Sequence, residues 1–272
     1  MIDLFTLGFL QRALVVAFLV SLLCGVLSIF VVLRRMAFIG VGISHSAFGG
    51  VALGFLLRVD PLGTGIGFAL MVAVLIEWAQ SRTTIEEDTA IGIFFAASMA
   101  LGLVFLHLSR AYNVDVFGFL FGNILAVGPR QLWQILGVTV VVLAIISAFF
   151  KEIVFLSFDE EMAWVSGVPV KALRYLFLVL MALVVIVTIY LVGIILVAAL
   201  LVIPGAIAQN LSRHLNSMIW VATGVAVGAA VGGLILSYGI DFPSGATIVL
   251  VLACIYLLTA LLRPRVQTRY GK

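Results

Sequence analysis

Apolar stretches of about 20 residues recur along this chain, each long enough to cross the hydrocarbon core of a bilayer as a helix. They fall at residues 9–33, 37–57, 62–80, 89–108, 131–150, 172–191, 193–210, 217–237 and 244–262. Backbone amides in lipid find no water, so only helices and closed barrels span a membrane. Barrel strands would alternate apolar and polar residues instead of running apolar throughout. The segments are therefore predicted to be transmembrane helices. Composition agrees, since 64% of the 272 residues are hydrophobic and 10% are charged, whereas soluble domains are roughly half apolar. The segment at 193–210 contains Pro204 and reads either as a full span or as a broken, re-entrant helix. The expected fold is an all-α polytopic membrane protein with 8 to 9 transmembrane helices.

Orientation is set by the basic residues in the connections. One set holds Arg34, Arg35, Arg82, Lys151, Lys171, Arg174, Arg213, Arg263, Arg265, Arg269 and Lys272; the other holds Arg12, Arg58, Arg110 and Arg130, a split of 11 to 4. The positive-inside rule makes the first set cytoplasmic, with the N-terminus outside and the C-terminus in the cytoplasm. The opening "MIDLFTLGFLQRALVVAFLV" carries Asp3 and runs on into a full span, unlike a cleaved signal peptide. Cys24 and Cys254 lie within separate apolar stretches, where thiols behave as small hydrophobes, so no disulfide is expected.

No linker or low-complexity tract divides the chain, which reads as one transmembrane domain over 1–272 without a soluble catalytic module. Two connections are long: an outer one at about 109–130, expected to hold a short helix at the membrane surface, and an inner one at about 151–171. Small residues four apart share a helix face and let two backbones approach. Gly42, Ser46, Gly50 and Gly54 in the second segment, and Gly224, Gly228 and Gly232 in the eighth, are expected to pack against protein.

The inner connection, "SFDEEMAWVSGVPVKALR", places Asp159, Glu160 and Glu161 at a helix start, with Ser157 or Asp159 as the cap. Gly167 and Pro169 stop the helix one or two turns later. A short capped helix between basic flanks suits the docking of a cytoplasmic partner.

This loop resembles the coupling segment of permease subunits of ATP-binding-cassette importers for zinc, manganese and iron. "VLRRMAFIGVGISHSAFGGVALGFLL" at 32–57, "YNVDVFGFLFGNILAV" at 112–127, "VGIILVAALLVIPGAIAQ" at 192–209 and "SYGIDFPSGATIVL" at 237–250 resemble the same family, in the same order. The resemblance implies a type II importer-like permease in the cytoplasmic (inner) membrane, acting as a homodimer on two copies of an ATPase subunit. An extracytoplasmic metal-binding protein would feed it. The cargo would be a divalent metal ion, zinc or manganese, with no permanently bound cofactor, no nucleic acid and no enzymatic activity in this chain. In keeping with that, the sequence contains no phosphate-cradling GxxxxGK[ST]. Asp159, Glu160, Glu161, Gly167 and Pro169 would couple to the ATPase.

Of the three histidines, His214 and His107 sit near segment ends, whereas His45 lies inside the apolar second segment. Ionisable groups at membrane depth usually face a cavity or the bundle interior. Neutral imidazole is a ligand for zinc, manganese and iron, Ser44 or Ser46 could orient it, and Ser44 is itself a candidate on the metal path beside His45. The other reading of His45 is a hydrogen bond between helices. Family relatives often carry "GDxxSH", with an acid four residues before the histidine, where this chain has Val41. Asp115 and Asp241 lie near predicted outer ends and could attract a cation, although Asp241 also precedes "FPSGATIVL" as a helix N-cap would. Asp60 before Pro61 reads as turn chemistry, and Glu77 could snorkel or pair with Arg82.

The alternative function is a secondary cation transporter or channel that needs no ATPase, for which internal repeats and additional intramembrane acids would be expected. A non-transporting scaffold is a third reading, weakened by the lack of any sizeable soluble domain.

Overall fold

The computed structural model describes residues 8–109, 122 and 124–262. Those residues form eleven α-helices and one 3-10 turn. In chain order the helices are α1 (Gly8–Leu33), α2 (Ile39–Leu57), α3 (Pro61–Arg82), α4 (Glu87–Ser109), α5 (Pro129–Ala148), α6 (Phe150–Phe158), α7 (Glu160–Val165), α8 (Val170–Val192), α9 (Ile194–Leu211), α10 (Leu215–Ile240) and α11 (Ser244–Leu262). Among the described residues nine helices, all but α6 and α7, are long and apolar enough to cross a bilayer. Helix α9 continues through Pro204, even though a proline there offers no N–H to the carbonyl one turn earlier. Most of the outer connection, including Asp115, lies outside the described residues. The 3-10 turn Ile124–Ala126 leads from it towards α5.

Helix α1 is the hub, lying against α9, α10 and α5, while α2 is held between α3 and α4 and α8 packs on α3. In lipid no hydrophobic force drives helices together, so close backbone approach at small residues carries much of the packing. A Cβ added at Gly25 would come within 2.9 Å of the Thr223 Cα, joining α1 to α10. One at Gly233 would come within 3.0 Å of the Ile248 Cα, joining α10 to α11. Gly205 of α9 lies against the backbone of Ser28 in α1, with 2.8 Å from such a Cβ to the carbonyl carbon. At the hub, the Phe30 ring meets Phe150 and Phe177 edge-on, with centroids 6.4 and 6.3 Å apart. Cys24 is buried, Cys254 is exposed and both thiols are free.

The small residues of α2 lie in tight contacts. Gly42 abuts Ile91 of α4, and Gly54 abuts Thr64 and Pro61 of α3. A Cβ at Gly50 would sit 2.7 Å from the Thr64 carbonyl oxygen. The α10 expectation needs correction within this chain. Gly224, Gly228 and Gly232 are exposed, and a Cβ at any of them would meet nothing within 4 Å. The packed face of α10 is the neighbouring one, carrying Ala222, Ala226, Ala229, Ala230 and Gly233. Spacing identifies a face but not which face the neighbouring helices cover.

Between α8 and α9 a single residue, Gly193, makes the whole turn at φ 86° and ψ 162°, a backbone region essentially reserved for glycine. Two spans can therefore succeed each other without a loop. At the other end of α10, Asp241 occupies the left-handed C-cap at φ 54°, its N–H bonded to the Ser237 carbonyl. It is not the N-cap of α11. The Pro243 carbonyl accepts the Thr247 N–H, and α11 starts at Ser244, where the apolar segment does. Pro243 disfavours a helical conformation at the residue before it, and aspartate tolerates the left-handed region that ends α10.

Candidate functional site

Two places in the bundle gather chemistry: the α2–α4 contact around His45 and the end of the bundle where α7 sits. On α2 three consecutive polar side chains turn back onto their own helix. The Ser44 hydroxyl donates to the Gly40 carbonyl and the Ser46 hydroxyl to that of Gly42. His45 Nδ1 lies 2.9 Å from the Val41 carbonyl. A carbonyl only accepts, so Nδ1 carries the proton in the neutral ring and Nε2 keeps its lone pair. Neither serine orients the ring. The backbone does, which is the arrangement a ligating imidazole normally needs on its far nitrogen.

The ring is half-buried and meets Phe95 of α4 edge-on at 4.8 Å between centroids. Phe95 also walls a cleft of about 340 Å³ between α2 and α4, with Val41, Gly42, Ile91 and Gly92. Phe38 and Asp88 stand at its end, where the Asp88 carboxylate accepts the Phe38 N–H at 3.4 Å. The cleft is almost wholly apolar. Val41 and His45 are four apart and share a helix face, so the position where an acid would meet the imidazole faces this cleft as a valine. No group of three or more His, Cys, Asp or Glu side chains among the described residues is placed to hold a metal ion. His107 and His214 are both exposed at helix ends. The His214 side chain makes no cap bond.

At the other place the local sequence builds a small, well-terminated helix. The Asp159 carboxylate accepts the Met162 N–H at 2.9 Å, capping α7. Ser157 is not the cap, since its hydroxyl donates to Ile153 within α6. Gly167, at φ 82°, closes the other end: its N–H bonds to Trp164 and that of Val168 to Ala163, a Schellman closure that requires a left-handed residue. Pro169 then takes the N-cap position of α8. Trp164 and Val165 are 72% and 71% exposed, and Glu161 is exposed beside them. A helix this short cannot bury its apolar side chains against itself. It presents them outward beside an open cleft of about 800 Å³.

Sequence reasoning missed the charged group beneath α7. Glu77, 1% exposed, pairs with Arg174 of α8 at 2.9 Å and not with Arg82. The same guanidinium reaches Glu160 of α7 and the Gln80 side-chain oxygen, each at 2.9 Å. Nearby, Arg34 pairs with Glu87 at 2.8 Å and lies over the Phe177 ring. No local signal pointed to it, since Arg82 lies closer to Glu77 in sequence than Arg174 does.

The sequence profile of the ABC 3 transport family matches residues 6–263. The chain belongs to that family. As a member of the ABC 3 transport family it is 37% identical over 272 residues to the manganese transport system membrane protein MntC of Halalkalibacterium halodurans, covering 99% of this chain and 93% of that one. To the manganese import system permease protein ScaB of Streptococcus gordonii it is 36% identical over 257 residues, covering 94% and 92%. The solved structure of PsaBC from Streptococcus pneumoniae in complex with Fab superimposes with a TM-score of 0.83 at 36% identity, over 96% of this chain and 94% of that one. This ABC 3 chain is therefore a multi-pass membrane protein with an importer-permease fold.

Proposed function

We propose that the chain is the permease subunit of an ATP-binding-cassette importer that carries a divalent metal ion, manganese or zinc, through the cytoplasmic membrane by alternating access. The observation that carries this is the similarity, over 94% or more of the chain, to a membrane protein named for manganese transport and a permease named for manganese import. It favours manganese. Two copies of the chain stand on two ATPase subunits, and an extracytoplasmic binding protein delivers the ion. The N-terminus is outside and the C-terminus inside, so the basic end with Arg34 and Arg174 is cytoplasmic. The segment at 151–171 meets the ATPase there, through α7 and its exposed Trp164 and Val165.

His45 Nε2 is the metal-facing atom of the path in this reading. Divalent cations hold their water strongly, and a permease must bind weakly enough to let the ion leave, so one imidazole with water and carbonyl oxygens suits passage better than a closed cage. Val41 removes a hard oxygen from that face, so choice among metals rests chiefly with the binding protein. Asp241 and Asp115 act at the outer mouth by attracting cations electrostatically. Ser44, buried and bonded to Gly40, is the weakest of the candidate ligands.

The test is reconstitution with the ATPase subunit in proteoliposomes and measurement of manganese accumulation. Uptake is expected to need ATP and to stop when the ATPase is inactivated. Accumulation by the permease alone, driven by an ion gradient, would overturn the assignment in favour of a secondary transporter.

A further inference from the structure

The three-way contact at Arg174 goes beyond docking. We propose that Arg174 is a positioning residue that ties the partner-facing helix α7 to the transmembrane bundle, so that movement of α7 reaches the α3–α4 pair and, through it, the helix carrying His45. The proposal rests on the permease function and adds the route by which the site is driven.

One planar guanidinium spans three elements. Its Nε meets Glu77 and its Nη2 donates to Gln80, both on α3, while its Nη1 donates to Glu160 on α7. The α3 side of this contact is anchored. Glu77 is buried, and the Gln80 amide reaches the Glu87 carbonyl at the start of α4 at 3.4 Å. Helix α4 in turn carries Ile91 against Gly42 and Phe95 against His45. The α7 side is a single exposed arm, Glu160, on a helix with two turns at most of its own. Besides that arm, α7 is held mainly by its chain neighbours α6 and α8. A rigid fork with several donors can hold all three partners at once. A lysine ammonium, a compact charge on a flexible stem, neutralises Glu77 but does not hold Gln80 and Glu160 in the same geometry.

That difference makes the test. In the reconstituted permease–ATPase complex, R174K is expected to keep the folded permease and its co-purification with the ATPase. Manganese transported per ATP hydrolysed should fall at least about threefold, within the range by which such contacts modulate coupling, with the KM for manganese unchanged. A second variant, E77Q/R174Q, removes the buried Glu77 charge together with that of its arginine partner, retains hydrogen-bonding groups and should show the same loss. Wild-type transport per ATP in both variants would overturn the proposal and leave Arg174 as a neutraliser of Glu77. Loss of ATPase co-purification in step with transport would overturn it too, by making the cluster part of the docking face. If the wild-type chain itself fails to bind an ATPase, the function beneath the proposal falls instead.

Discussion

Replacing His45 by alanine is expected to cut metal uptake by at least about tenfold, the scale of losses at the shells of metal sites, with the amount of permease in the membrane unchanged. The ring bonds to its own helix, through the Val41 carbonyl, and touches α4 at Phe95. Its removal therefore strands no buried charge, and the stability loss stays near the ordinary value of about 1 kcal/mol. Metal accumulation in cells, normalised to immunodetected permease, separates the two effects. Normal accumulation, or a loss that merely tracks protein level, would return His45 to a packing role. The converse substitution probes the same face: Val41→Asp puts a carboxylate one turn from the imidazole and should tighten manganese binding to the detergent-purified permease. An unchanged affinity would mean that this face does not meet the ion.

How much of this is visible in the sequence depends on the range of the physics involved. Span number and helical character are legible because the bilayer fixes helix length and each segment satisfies its backbone by itself. The capped helix after Asp159 is legible for the same reason, since cap, first turn and stop lie within ten residues of one another. A local reading fails at Asp241. Asp241 reads as an N-cap and is a left-handed C-cap, because Pro243, two residues on, precedes the first residue of the next helix. Of the two caps the sequence allows, Asp159 takes the place, and Ser157 bonds to its own helix instead. The Arg174 contact is out of reach. Glu77 has a basic residue, Arg82, nearby in sequence, and nothing local indicates that α8 brings its own arginine closer. At His45 the sequence marks the residue but not what orients it, since both neighbouring serines are plausible partners and the carbonyl of Val41 takes that place.

Two glycines with the same sequence spacing should respond in opposite ways to the same substitution. Gly50→Val is expected to destabilise the permease by about 3 kcal/mol or more, the upper end of overpacking costs. Even a Cβ there would sit 2.5 Å from the Phe68 Cβ, 2.7 Å from the Thr64 carbonyl oxygen and 2.8 Å from the Gly65 Cα. Two of those three neighbours are backbone, so no side-chain rotation relieves the clash and α3 as a whole must move away from α2. Because α2 is clamped by α4 on its other flank through Gly42 and Gly49, that displacement would also spread the contact that holds Phe95 against His45. Gly228→Val, in open space on α10, should leave the fold of the single chain within about 0.5 kcal/mol of wild type. Thermal unfolding of the two purified variants in detergent distinguishes them. Equal midpoints would mean that the α2–α3 contact is looser than the structure has it, and that close approach at Gly50 is not what holds the His45 helix in place.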